Sequence, residues 1–538
     1  MLHARPAAAP PQAAPVAPPA QDTPDPAPAP ELPVRLSASR NTALTVVALI
    51  VLVLFVVANA LWPRLSGSGN ATALAPQPRS PRLVVLPFQD LSAARESHLS
   101  DGVTEEITSQ LARIDSERLA VIARTSAEKY RGKSVSVAEI GRDLGADYLL
   151  EGSVQRVGDT VRVHAQLIRA VDQTHLWAES FDRPATAWMT VQSDVARRVA
   201  RALAIELLPG QRAALDRAST TNAAAAEAFQ LARGALMQKK VDSLDRAEKH
   251  LLHAIELDPN YALAYASLAE TYGFRSGPQM DEKLLRQSET FANKALEIDP
   301  MLSEGYSALA QVAMNRWQWT KAEEAMQRAL RLNGNDGRAI QMYAKYLGLH
   351  GRYAEALHYA RRAVELDPHA LGSNGWYGWM ALQAGKYRDA QAEAEKLLAL
   401  GDKRELDGHW MLGSSLLGQG RIEAAVAELE KAHSMNNQIA SLWVDLATAY
   451  WQTGQRERAL TIARDLEKSG ERFAFLVATM YARFQMREEA LTHLERAYES
   501  RNASVLTASF RPEFSLMRND PRFRRLQQKI GQLARSNN

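Results

Sequence analysis

A period of 34 residues governs the C-terminal half of this 538-residue chain. Small residues recur at Ala322, Ala356, Ala390, Ala425, Ala459 and Ala490, separated by 34, 34, 35, 34 and 31 positions. A second series runs in phase with them: Ala269, Ala310, Ala344, Gly378, Gly413, Ala447 and Ala478. Turn signals at Asp258-Pro259, Asp299-Pro300, Asn333-Gly334 and Asp367-Pro368 punctuate the same series. Each unit reads as two antiparallel helices. The small residues let the pair approach closely, and proline stops the second helix and turns the chain. A single unit cannot bury its apolar face, so the units must stack into one continuous core with a concave groove lined by first helices. About eight units fit residues 223–500, with an insertion around Gly273–Asp281 in the second.

The second constraint is ALTVVALIVLVLFVVANALW, Ala43 to Trp62, which carries no charge and only Thr45 and Asn59 as polar residues. At ~1.5 Å rise per residue, a helix of this length spans ~30 Å, the thickness of a bilayer's hydrocarbon core. A cleaved signal would lie nearer the start and be shorter, and a soluble core helix would show a polar face. The stretch therefore reads as a transmembrane helix with Trp62 as an interfacial anchor. Arg35 and Arg40 precede it, while Arg64 alone follows closely. This bias places the N-terminus in the cytoplasm and the C-terminal body in the periplasm, with the chain single-pass in the inner membrane.

Residues 1–42 hold eleven prolines and eleven alanines, too little buriable area for a folded core, and read as a disordered tail. Residues 63–81 read as a linker. With 64 basic and 61 acidic residues, no concentrated positive face argues for nucleic acid. The absence of cysteine removes disulfides, thiolate nucleophiles and cysteine-ligated zinc.

Residues 82–215 change character. Short β-rich runs start at Arg82, Leu119 and Asp147; Thr160–Ile168 alternates apolar and polar after the Gly158-Asp159 turn, and His175–Phe181 continues the meander. Helical spacing marks Val103–Ile114, Val137–Leu144 and Trp188–Leu208, with Asp101 as a candidate cap. This is a small α/β (α+β) domain. Its tempting polar residues are Asp101, Glu105, Glu106, His164, His175 and Glu179. They fall on helix starts and strands without a phosphate loop or a G-x-S-x-G elbow, so neither catalysis nor a cofactor or metal is expected. His250 and His253 share a helix but lack a third ligand type.

The blocks "LVVLPFQDLS", "SDGVTEEITSQLARI", "VIARTSAEKYRGK", "IGRDLGADYLLEGSV" and "VRVHAQLIRAVDQTHLWAESFDR" resemble the TolB-type N-terminal (FlgO-like) domain. "LLHAIELDPN", "ANKALEIDPM" and "ARRAVELDPH" resemble the closing half of tetratricopeptide (TPR) repeats. The two together are similar to the extracytoplasmic part of CadC-like membrane-anchored regulators. That resemblance implies a cytoplasmic effector: a winged helix, a nucleotide cyclase or a kinase. The 42 residues before the apolar stretch are too short and proline-rich for any of these.

Carried onto this chain, the TPR resemblance implies a peptide groove of Gln311, Gln341, Lys345, Trp379, Trp410, Ser414, Thr448, Trp451 and Gln452, with Trp376 nearby. Amphipathic aromatics on such a surface anchor partners, although indoles also pack between helices. Trp443 and Tyr265 fall at packing positions. Residues 501–538 end in a basic amphipathic helix that reads as a cap on the last repeat.

The expected architecture is therefore a single transmembrane helix, a small α/β domain and an all-α TPR solenoid. Its expected work is protein or peptide binding as a scaffold or signal receptor, not chemistry. The alternative is the sensor half of a transmembrane transcription regulator, kinase or cyclase whose effector is missing from this chain.

Overall fold

The computed structural model describes residues 80–536 apart from 93–96, 115–117, 185–186, 188–189, 206–219, 238–240, 277–280, 370, 400 and 402–403. The apolar stretch at 43–62, the tail and most of the linker lie outside the described residues. Among the described residues, no helix is long and apolar enough to cross a membrane.

The α/β domain orders its elements as β1 (Arg82–Val85), β2 (Gln89–Asp90), α1 (Ser97–Ala112), β3 (Ala120–Ile122), α2 (Arg124–Ala127), α3 (Val137–Leu144), β4 (Tyr148–Val157), β5 (Thr160–Arg169), β6 (His175–Pro184) and α4 (Val191–Ala202). The sheet order is β3-β1-β4-β5-β6, with β2 pairing β4. Strand β1 lies parallel to β3 and β4, and β4-β5-β6 is an antiparallel meander. One face buries Leu83, Val85, Leu150, Val163 and Leu167 against Ile107 and Leu111 of α1 and Val195 and Val199 of α4. The other face buries Val84, Ile122 and Leu149 against Ile140 and Leu144 of α3. Helix α3 starts at Ser136, whose hydroxyl accepts from the Glu139 amide at 3.2 Å, and stops at Gly145 with φ +63°. Asp101 does not cap α1. It lies inside the helix and pairs with Arg124 at 2.8 Å and with Arg131.

Among the described residues, sixteen helices follow in eight antiparallel pairs. The pairs are α5 (Ala223–Met237) with α6 (Val241–Leu257), α7 (Ala262–Ser276) with α8 (Glu282–Ile298), α9 (Ser303–Asn315) with α10 (Trp319–Leu332), and α11 (Gly337–Leu349) with α12 (Tyr353–Leu366). Then come α13 (Leu371–Gln383) with α14 (Tyr387–Ala399), α15 (Glu405–Gly418) with α16 (Ile422–Met435), α17 (Ala440–Gln452) with α18 (Arg456–Lys468), and α19 (Ala474–Arg483) with α20 (Arg487–Glu499). The in-phase alanines Ala269, Ala310, Ala344, Ala447 and Ala478 are fully buried where helices cross. At Gly413 a β-carbon would stand 2.6 Å from the Leu429 side chain, so α15 and α16 approach closer than any larger residue permits. The array is a TPR-type, protein-binding scaffold in which small residues set the helix spacing.

After α20 the chain makes two short 3₁₀ segments, Ala503–Ser509 and Pro512–Met517, and ends in α21 (Pro521–Ser536). Phe514, Phe523 and Leu526 are buried in the array's core. This segment also reaches back to earlier repeats: Phe510 meets Tyr353 edge-on at 5.9 Å, and Tyr498 of α20 meets Trp317 at 6.4 Å. The stack thus curls until its end touches the turns inside its third and fourth repeats.

The α/β domain docks on the opposite set of turns, those between repeats. Asn335 Nδ2 donates to Ala112 O at 3.1 Å and Leu119 O at 3.0 Å, satisfying a carbonyl at the end of α1. The Ala123 amide donates to Leu366 O at 2.7 Å. Ser126 Oγ donates to Asp367 Oδ1 at 2.6 Å and accepts from the His369 amide at 2.9 Å. Ala120 packs with Ile340, Ala363 and Leu366 beneath these bonds. Glu105 of α1 also pairs with Arg233 of α5 at 2.7 Å.

Candidate functional site

The groove residues expected from sequence fall on first helices, in two patches. Gln311, Gln341 and Lys345 sit on α9 and α11. Trp376, Trp379, Trp410, Ser414, Thr448, Trp451 and Gln452 sit on α13, α15 and α17.

The second patch is built around a residue the sequence reading passed over. Asp445 is the sole charged side chain of α17. Its Oδ2 accepts from Trp410 Nε1 at 3.1 Å and from Ser414 Oγ at 2.7 Å. Its Oδ1 accepts from Arg483 Nη1 at 3.0 Å, and the same nitrogen lies 3.3 Å from Thr448 Oγ1. Arg483 is likewise the sole charge of α19. Burial works against its positive charge, but Asp445 and Glu513 hold its pKa above the ordinary arginine range. Burial also opposes the charge of Glu513, which Arg511 and Arg483 keep below the usual carboxylate range. Three repeats and the C-terminal segment are thereby joined by one charge-assisted network.

Aromatic surface flanks that network. The rings of Trp379 and Trp410 are 4.2 Å apart at 58°, and both are half-buried. Trp451 stacks on Phe484 at 4.5 Å, with the Arg456 guanidinium 5.1 Å from its ring, apart from the Trp379–Trp410 pair. Trp376 packs against the core, with its Nε1 buried and lacking a hydrogen-bond partner among the described residues. Thr448 is buried, and Gln452 is exposed. Each of these four indoles thus packs against neighbouring side chains while staying partly exposed.

In the first patch, Gln311 donates to Asn315 at 2.9 Å, and Asn315 reaches Ser276 at 3.3 Å. Gln341 is half-buried on the same strip. Lys345 is exposed, and desolvation by the protein around it lowers its pKa. Arg338, also missed from sequence, pairs with Glu270 and lies 5.9 Å from the exposed ring of Phe274. The Arg338 side chain is 49% exposed, and desolvation by the surrounding protein together with the charge of Arg233 lowers its pKa. A lone charge in an otherwise apolar helix was the available signal for Asp445 and Arg483. Arg338 offered none, because it opens a helix of mixed character.

Of the polar residues weighed for chemistry in the α/β domain, Asp101, Glu105, Glu106, His164 and Glu179 have side-chain partners. Glu105 pairs with Arg124 at 3.3 Å, His164 Nδ1 lies 3.1 Å from Ser180 Oγ across the sheet, and Glu179 pairs with Arg198 at 3.1 Å. Among the described residues no three acidic or histidine side chains are grouped to hold a metal ion.

Comparison with known proteins adds two family matches. Residues 79–198 match the HilA/YgeH-like transcriptional regulator, second domain, and residues 416–483 match a tetratricopeptide repeat. The chain is 32% identical over 239 residues to a putative adenylate cyclase 3 of Rhizobium meliloti (strain 1021), covering 43% of this chain and 40% of that protein. The chain thus spans about two-fifths of the length of that relative. It is 23% identical over 436 residues to the transcriptional regulator HilA of Salmonella typhimurium (strain LT2), covering 79% of this chain and 70% of that one. Among solved structures, YrrB, a TPR protein with an unusual peptide-binding site, is 22% identical over 35% of this chain and 93% of its own, with a TM-score of 0.28. Yeast Tom70 is 15% identical over 64% of this chain and 83% of its own, with a TM-score of 0.34.

Proposed function

We propose that this protein is a non-enzymatic, membrane-anchored receptor or scaffold that captures an extended protein segment on its concave face. In this reading residues 43–62 cross the inner membrane, the tail stays in the cytoplasm, and a TolB-like α/β domain and the TPR array stand in the periplasm. The observation that carries the reading is the Trp379–Trp410 pair beside the Asp445–Arg483 network. Rigid half-exposed indoles next to a prepaid polar network supply contact area at low entropic cost.

Selection of a phage-displayed peptide library on the full chain tests the binding role. Enriched peptides should lose about tenfold or more in affinity to Trp410→Phe combined with Trp379→Leu, changes that keep most of the packing. Peptides insensitive to that pair place binding elsewhere. Alkaline phosphatase fused after residue 215 tests topology: an active fusion supports export, and an inactive one reverses the orientation.

A second reading is favoured by the match of residues 79–198 to the HilA-type second domain and by the partial likeness to a cyclase. In it the chain is the sensor half of a transmembrane transcription regulator, kinase or cyclase, arranged as in CadC-like proteins, and its effector lies elsewhere. Peptide capture that changes transcription or cyclic-nucleotide output in the host separates it from a passive scaffold.

A further inference from the structure

The two edges of the α/β sheet are treated differently. At the β3 edge the array closes the sheet: Ala123 donates to Leu366 O, Asn335 donates to Leu119 O, and Ala120 is packed under Ile340 and Leu366. At the other edge, β6 runs ten residues and, among the described residues, pairs with β5 alone. A long open edge is a template for another strand, and natural sheets blunt such edges with bulges, lysines or covering elements. β6 has no lysine, its one proline is its last residue, Pro184, and its one irregularity against β5 lies near its start, between Leu167 and Ile168 of the partner strand; its charges are Glu179, Asp182 and Arg183.

We propose that β6 is a homodimer interface, in which a second copy of this chain adds its own β6 antiparallel about a two-fold axis through Phe181. The charge pattern selects both the occupant and the register. Glu179, Phe181 and Arg183 alternate along the face covered by α4. Centring on Phe181 sets Glu179 opposite Arg183 of the second copy, twice by symmetry. Centring on Glu179 instead opposes two carboxylates and sets His175 against Arg183. Centring on Ser180 sets the Glu179 carboxylate against the buried Phe181 ring. A shift of one residue exchanges the two faces of the strand.

The charges that would meet are already held in place from α4. Arg198 grips Glu179 at 3.1 Å, and Asp194 grips Arg183 at 2.9 Å. Pairing therefore extends two existing ion pairs into Arg198–Glu179–Arg183–Asp194 chains across the axis. On the opposite face, Ser180 meets Asp182, which Arg162 holds at 2.7 Å. Because each copy's β3 edge is closed by its own array, the sheet doubles and stops. The product is a closed dimer and not a fibre.

Sedimentation velocity of the full chain in a non-ionic detergent tests this. The wild type should dimerise reversibly with concentration. Glu179→Arg and Arg183→Glu should each weaken the dimer about tenfold or more, since each turns both attractive pairs repulsive. An equimolar mixture of the two variants should regain wild-type strength, because each mixed pair is again opposite in charge. A wild type that stays monomeric overturns the proposal, as does a dimer indifferent to the reversals or a mixture that does not recover. Should either variant lose its far-UV circular dichroism, Ser180→Cys and Asp182→Cys copies provide a second route in this cysteine-free chain. The proposal requires an intermolecular disulfide between them under mild oxidation, and its absence overturns the register.

Discussion

In the first four repeats the turns between repeats are occupied from outside. Asn335 closes the end of α1, Asp367 receives Ser126, and Glu105 crosses to Arg233. The chain's own end instead packs on the last repeat and on the turns inside the third and fourth. Phe514 is fully buried with its ring 6.0 Å from Phe475, and Phe510 rests on Tyr353. The first contact set is mainly polar, with individual hydrogen bonds each worth on the order of 1 kcal/mol net over a small apolar patch of Ala120, Ile340 and Leu366. The second is apolar and scales with the area removed from water. A stack of near-identical helix pairs is thus specialised by what covers its turns. The apolar closure locks one end of the stack, while the polar docking holds a separate domain in a defined pose.

The contrast breaks most visibly at its apolar end. Phe514→Ala should cost about 3–5 kcal/mol, as for large-to-small changes at fully buried aromatics. Denaturant titration followed by tryptophan fluorescence should show the loss in the C-terminal repeats, with the α/β domain still docked. A loss spread evenly over the chain would mean that the two ends fold as one unit.

At the polar end, Asn335→Ala removes both side-chain bonds and strands the Ala112 and Leu119 carbonyls, at about 1–3 kcal/mol. Hydrogen exchange should rise along β3 and α2 while α15–α19 remain unchanged. Between the two ends, Asp445→Asn keeps an acceptor but removes the charge facing Arg483, which retains Glu513 at 3.7 Å. The expected loss is smaller, about 1 kcal/mol, with weaker peptide capture at the Trp410 patch.

The smallest effect is a pH dependence of the docking. Burial alone would raise the Asp143 pKa. Hydrogen bonds from Tyr130, Lys129 and His369 instead lower it to about 2, against an ordinary value of 3.8. Its folded-state pKa lies below the unfolded one. The carboxylate therefore stabilises the fold above about pH 4 and loses that contribution as pH falls towards 2. Melting temperature should decline over that window, and Asp143→Asn should flatten the decline. Since the group is largely solvent-exposed, screening keeps the effect small.

The helix pairs were legible because their signal is local. Small residues every 34 positions and Asp-Pro turns depend on contacts within one repeat or its neighbour. The meander was legible for the same reason, from period-two alternation either side of Gly158-Asp159. Within the groove, repeat phase alone leads to Trp379, Trp410 and Ser414, and the structure joins the last two through Asp445. It does not lead to the partner that organises them, because Asp445 lies outside the phase being followed.

Asp367 marks the limit of that reading. In the sequence it stops a helix, and nothing near it in the chain announces a second role. In the fold its carboxylate accepts from Ser126, 241 positions away, and Asn335 reaches Ala112 across 223. Those meetings depend on small rotations between successive repeats, summed over the stack, that bring two distant surfaces together. Local pattern determined which elements form. The accumulated geometry of the solenoid decided which turns are covered by the α/β domain and which are closed by the chain's end.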